Sequence, residues 1–120
     1  MFQFITKADL RIVQVDVDGN WTADEARRYG IEAGQHFEAA RAEFGRLRLL
    51  LNLQQSEIMR QEVILPLMSS GVRNGRPEDL IAAVVASPVM KLQIRRMFTQ
   101  RGVSLCDSIQ EAEEWLANMQ

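Results

Sequence analysis

Apolar positions change period several times along the chain, and each change marks an element. Residues 2–5 and 9–17 read as two strands, the second (Leu10-Arg11-Ile12-Val13-Gln14-Val15-Asp16-Val17) rich in β-branched residues. Lys7-Ala8-Asp9 suits a hairpin turn, and Asp18-Gly19-Asn20 breaks the second strand. Thr22-Ala23-Asp24-Glu25 has the form of a capping box, in which the Thr hydroxyl accepts from the Glu25 backbone and the Glu side chain reaches back. Ala26, Gly30, Ala33, Phe37, Ala40 and Phe44 then recur every three or four residues, the face of a long helix that Gly45 ends. Gly30 and Gly34 weaken that helix by about 1 kcal/mol each relative to Ala, so their spacing reads as close packing against a neighbouring element.

Leu47-Arg48-Leu49-Leu50-Leu51-Asn52-Leu53 is nearly continuously apolar, the pattern of a strand covered on both faces. Ser56 is read as the cap of a second helix running to about Gly71, kinked or started late by Pro66. Residues 72–79, with Asn74-Gly75 and Arg76-Pro77, read as a surface loop. Residues 80–86 form another buried strand. Ser87-Pro88 starts a third helix that stops at Gly102, 103–105 is a short strand, and Asp107-Ser108-Ile109-Gln110-Glu111 caps a final helix burying Ala112, Trp115 and Leu116. The order is β-β-α-β-α-β-α-β-α, an α/β chain with a mixed, mostly parallel sheet of about five strands and four main helices. No repeat or linker interrupts it, so residues 1–120 are expected to be one domain.

Composition narrows the function. The 120 residues carry 14 Lys and Arg against 16 Asp and Glu, a net charge of −2, which disfavours general nucleic-acid binding. One Cys excludes an internal disulfide framework, and one His with one Cys excludes His- or Cys-rich zinc sites. No signal peptide and no transmembrane-length stretch is visible, and the free Cys fits a reducing compartment, so a cytoplasmic location is expected.

No constellation carries catalysis. His36 sits one position off the apolar stripe and reads as a helix-surface residue pairing with Glu32. Cys106 reads as a packed thiol beside a helix start. No Gly-rich phosphate loop is present. The acidic pairs Asp24-Glu25 and Glu113-Glu114 do not converge on a helix, and Asp16 with Asp18 is too little for a metal. No enzyme activity, cofactor or metal is therefore expected.

Two regions stand out. Arg73, Arg76, Lys91 and Arg95, with Arg96 and Arg101 nearby, form a candidate anion-binding patch, suited to an anionic ligand, an acidic partner or a membrane surface. The second helix is apolar around much of its circumference, through Ile58, Met59, Val63, Ile64, Leu65, Leu67 and Met68. Met59, Val63, Leu67 and Met68 are the candidate interaction surface for a protein partner or a second copy of the chain.

Four landmarks together resemble the SpoIIAA-like proteins of the STAS-domain superfamily. They are the opening strands ending in Asp18-Gly19, the helix starting at Thr22-Ala23-Asp24-Glu25, the strand Leu49-Leu50-Leu51-Asn52-Leu53 followed by a helix, and Gln110-Glu111-Ala112-Glu113-Glu114-Trp115-Leu116. The resemblance implies a STAS-like fold and a non-enzymatic module that binds other proteins. Its best-known members are anti-sigma factor antagonists, switched by phosphorylation of a Ser or Thr that follows an Asp, after the third strand. Here that segment reads Gln54-Gln55-Ser56-Glu57, without the Asp, which leaves Ser56 as the candidate regulatory Ser and argues against that phosphoswitch. The reading favoured by the sequence is an interaction or regulatory module acting through residues 57–71 and the loop that follows. The alternative is a carrier or sensor of a lipid or other small hydrophobic or anionic ligand, which requires a cavity beneath the second helix lined by Ile64, Leu67 and Met68.

Overall fold

The computed structural model describes residues 1–98 and 102–119. Five strands form one sheet in the order β1-β2-β3-β4-β5: β1 Phe2–Lys7, β2 Ile12–Gly19, β3 Arg48–Ser56, β4 Leu80–Val84 and β5 Ser104–Cys106. β1 runs antiparallel to β2, and the other pairings are parallel. The helices are α1 Ala23–Phe44, α2 Gln61–Asn74, α3 Pro88–Met97 and α4 Ile109–Asn118. The α/β class, the element order and the mixed sheet agree with the sequence reading.

Strand order follows chain order, so crossovers of one hand place α1, α2 and α3 on one face of the sheet. Val13, Val15 and Val17 of β2 and Leu49, Leu51 and Leu53 of β3 point to that face, into the larger core. Their neighbours Ile12, Leu50, Ala82, Val84 and Cys106 point the other way, where Ala112 and Leu116 of α4 cover them. This period-two division explains why β3 reads as apolar on both faces. Arg48 reaches over that side and its Nε donates to the Leu116 carbonyl, 3.1 Å away, at the end of α4.

Helix starts follow their caps. Thr22 and Glu25 form the expected capping box, and Gly45 ends α1 with φ 80°, a conformation that favours glycine. Ser87 Oγ accepts from the Met90 N–H and Ser108 Oγ from the Glu111 N–H, both at 3.1 Å. The hairpin turn lies at residues 8–11, later than expected, with Arg11 at φ 58°.

The segment after β3 departs most from expectation. β3 continues through Ser56, and α2 begins only at Gln61 with Arg60 in the cap position. Ser56 is therefore not a helix cap. Its hydroxyl donates to the Glu57 carbonyl at 3.1 Å. The physical reason is pairing: Gln55 and Ser56 extend the parallel ladder against Asp18 and Gly19. Pro66 lies inside α2, where it lacks the N–H that would bond back to the Glu62 carbonyl.

Candidate functional site

α2 packs against α1 rather than directly on the sheet. The two helices approach over Gly30 and Gly34. A Cβ on Gly30 would lie 3.0 Å from Ser70 Oγ, and one on Gly34 would lie 3.0 Å from Asn74 Oδ1. The sequence reading of these glycines as close-packing positions matches this seam. Asn74 stitches it, donating through Nδ2 to the Gly30 carbonyl at 2.8 Å and to Ser70 Oγ at 3.0 Å.

The far end of α2 is tied by charge. Arg41 Nε donates to Asp79 Oδ1 at 3.1 Å and Nη2 to Asp79 Oδ2 at 2.6 Å. The same Nη2 donates to the Asn74 carbonyl at 2.8 Å, while Nη1 meets Glu38 at 2.8 Å. Burial works against the guanidinium's charge, but Asp79 and Glu38 outweigh it and hold the Arg41 pKa above its ordinary value. At the other end, the Gln93 side chain of α3 brackets Met59. Its Nε2 donates to the Met59 carbonyl at 2.8 Å, and its Oε1 accepts from the Met59 N–H at 3.1 Å.

Because α2 leans on α1 and is pinned at both ends, a gap remains between it, α3 and the sheet. This is a cavity of about 350 Å³. Its floor is Leu47, Leu49, Leu51 and Leu53 with Val17 and Ile81, and its walls include Phe37, Ile94 and Met97. Met59 and Leu67 contribute from above. Trp21 and Tyr29 lie at the end where the parallel strands finish, and Ser70, Asn74 and Asp79 at the end where they begin. The cavity also touches Val72, which is 81% exposed, so it reaches the surface beside the last turns of α2. Its size lies within the range of small-molecule sites, about 300–1,000 Å³.

The candidate interaction surface is corrected accordingly. Met59, Val63 and Leu67 are buried, and of that set only Met68 is exposed. Val63 packs in the core, Leu67 faces the cavity, and Met59 precedes α2 rather than lying on it. The outward apolar side chains are Leu65, Met68 and Val72, with Ile58 before the helix. Val63 and Leu67, four positions apart, do share one face of the helix, but that face turns inward: spacing groups residues on a face and does not say whether a neighbour covers it. Ile64 is partly buried against the core and is absent from the cavity lining, whereas Leu67 and Met68 are present in it.

Two members of the candidate anion patch have partners of their own. Lys91 pairs with Asp107 at 3.3 Å, and Arg76 meets Glu38 at 3.3 Å and donates to the Gly75 carbonyl at 2.9 Å. Arg73 and Arg95 are exposed on separate helices. Arg101 lies outside the described residues.

The sequence candidates for chemistry are structural. His36 lies flat on Phe4, ring centroids 4.3 Å apart, within an aromatic group that includes Phe2, Trp21, Tyr29 and Phe37. Cys106 is buried under α4, and desolvation pushes its thiol pKa up, away from thiolate reactivity. Asp16 accepts from Gln14 and Asn52, at 2.7 and 3.0 Å. Among the described residues no group of three or more His, Cys, Asp or Glu could hold a metal ion, and no helix is long and apolar enough to cross a membrane. Sequence reasoning missed Trp21, Arg41, Ser70, Asn74, Asp79 and Gln93. Only Asp79 left a signal, as an acidic residue placed directly before an apolar strand.

No sequence-family model matches the chain, and no curated protein matches it. Solved structures do. The unphosphorylated form of the anti-sigma factor antagonist SpoIIAA superposes with a TM-score of 0.70 at 14% identity, covering 99% of this chain and all of that one. An uncharacterised DUF3478-family protein of Shewanella loihica PV-4, with a SpoIIAA-like fold, superposes with a TM-score of 0.68 at 13% identity, covering 97% of this chain and 92% of its own. The fold is therefore SpoIIAA-like, as the sequence landmarks implied.

Proposed function

We propose that this chain is a non-enzymatic binding module that takes a small hydrophobic ligand into the cavity beneath α2. One observation carries the reading: about 350 Å³ of space, walled by apolar side chains, opens beside Val72. A core closed by jigsaw packing would hold few voids larger than a water. Among the described residues the cavity lining is mostly apolar, which suits a hydrophobic ligand. The test is uptake of the uncharged fluorophore N-phenyl-1-naphthylamine by the full chain. Saturable fluorescence enhancement is expected, and it should be lost in Leu67→Trp, whose indole occupies the cavity. Absence of uptake by the wild-type chain, or equal uptake by the filled variant, refutes the site.

A second reading is favoured by a separate observation. The outer face of α2 carries Leu65, Met68 and Val72 in register, exposed and adjacent to the cavity mouth. The likeness in fold to an anti-sigma factor antagonist supports a protein partner or a second copy of the chain for that face. Occupancy of the cavity would then alter the helix that the partner touches. Leu65→Glu with Val72→Glu should abolish association, seen as loss of a complex by native mass spectrometry, with unchanged circular dichroism. Association that survives both changes rules out this face.

A further inference from the structure

We propose that the outer face of α2 and α3 docks on a lipid bilayer carrying anionic headgroups, with the mouth of the cavity turned toward the membrane. The choice of a bilayer as the occupant rests on the binding-module reading.

Two helices build the face. On α2, Val63, Leu67 and Ser70 turn inward, which leaves Leu65, Met68 and Val72 outward at spacings of three and four. On α3, Met90 and Ile94 turn inward, and Val89, Leu92 and Arg96 stand outward at the same spacings. Both helices cross over between parallel strands on one side of the sheet, so their outer stripes face the same way. The Gln93 side chain of α3 ties them, through its two bonds to Met59 just before α2. Half or more of Leu65, Val72 and Leu92 lies in water.

The charge on this face has one sign. α3 carries Lys91, Arg95 and Arg96 and no acidic residue. α2 carries one acid, Glu62, in its first turn, where Arg60 meets it at 3.7 Å. Thr99-Gln100-Arg101, next in the sequence, adds no acid. Lys91 is taken up by Asp107, but Arg73, Arg95 and Arg96 are exposed and form no ion pair among the described residues. All three belong to the last turns of their helices, the end at which the cavity opens beside Val72, Met97 and Phe98. They are a local excess of cations on a chain whose net charge is −2.

An anionic bilayer fits both features. The apolar side chains enter the headgroup boundary, and the arginines meet lipid phosphates. A second copy of the chain fits poorly, because a twofold contact through this face would set its arginines against each other. An acidic protein would satisfy the charge. Only a bilayer also holds hydrophobic molecules for an apolar cavity that opens on the same face.

The experiment sediments the full chain with sucrose-loaded vesicles of phosphatidylcholine, and with vesicles of equal parts phosphatidylcholine and phosphatidylglycerol. Pelleting is expected with the anionic vesicles alone. Arg95→Gln with Arg96→Gln should weaken it about fivefold for each charge removed. Val72→Ser with Leu92→Ser should weaken it about tenfold at unchanged charge. Arg11→Asn removes an exposed charge from the hairpin turn and should leave binding within about twofold of wild type. Weakening by Arg11→Asn as large as that from each α3 arginine overturns the face. Equal pelleting with both vesicle types overturns the anionic partner. No pelleting overturns membrane docking, and a soluble complex in native mass spectrometry would then assign the face to a protein. Uptake of N-phenyl-1-naphthylamine, measured without vesicles, reads the cavity separately. Uptake without pelleting refutes the docking alone, and pelleting without uptake refutes the binding-module reading and leaves the docking face standing.

Discussion

Replacing Arg41 with Met asks whether charge holds the end of α2 over the cavity. The Asp79 side chain is 1% exposed and that of Arg41 12%, so the pair is removed from water. Arg41→Met keeps most of the apolar stem and deletes both bonds to Asp79, the bond to the Asn74 carbonyl and the contact with Glu38. Glu38 is 62% exposed, so that last contact contributes little. What matters is a buried carboxylate stripped of its cation, although the Arg76 N–H still donates to it at 2.8 Å. Breaking one partner of such a pair costs about 3–5 kcal/mol. A chain of this length has roughly 6–18 kcal/mol of stability, so the variant should fold, with a Tm lower by about 10–20 °C. Urea denaturation followed by circular dichroism measures the loss. Arg41→Met combined with Asp79→Asn removes the stranded charge, and the pair should cost about 1–2 kcal/mol less than the sum of the single changes. Hydrogen exchange should accelerate first along α2, because Arg41 also ties the Asn74 carbonyl, in its last turn, to α1. A cost under about 1 kcal/mol for Arg41→Met, or additivity with Asp79→Asn, would show that the pair does not anchor the helix.

Other consequences are as direct. Thr22→Ala removes the hydroxyl of the α1 capping box and should lower stability by about 1 kcal/mol in the same denaturation assay. Gly30→Leu drives a side chain into Ser70 across the α1–α2 seam and should cost about 2–3 kcal/mol, measurable as a shift in urea midpoint. Tyr29 is the sole tyrosine, and burial raises its phenol pKa above the ordinary 10.0. The unfolded chain then releases its proton first, so stability should fall as pH rises through about 10, and Tyr29→Phe should flatten that slope. Cys106, buried with its pKa raised, should resist iodoacetamide at pH 7.5 until the chain is unfolded in guanidinium, as read by mass spectrometry.

Local chemistry made much of this protein legible from its residues. The capping box at Thr22, the Ser87-Pro88 start, the αL stop at Gly45 and the β-branched run of β2 each act within a few residues, so spacing alone reveals them. The continuous apolar run of β3 announces a strand covered on both sides, and parallel crossovers follow from alternation. Residues set by distant partners were hidden. Ser56 looks like a cap until the ladder against Gly19 claims it for β3. That one competition delays α2 and leaves Met59 in the segment before it, while packing against α1 and the core decides that Val63 and Leu67 face inward. Arg41 and Asp79 are 38 positions apart, and nothing in either neighbourhood says that they meet. The cavity is the furthest from the sequence. Every residue of its floor reads as ordinary core, because hydrophobic burial is non-directional and does not record whether the space opposite is filled. Only the tertiary arrangement decides that, by resting α2 on two glycines of α1 and pinning its ends, so that it stands off the sheet.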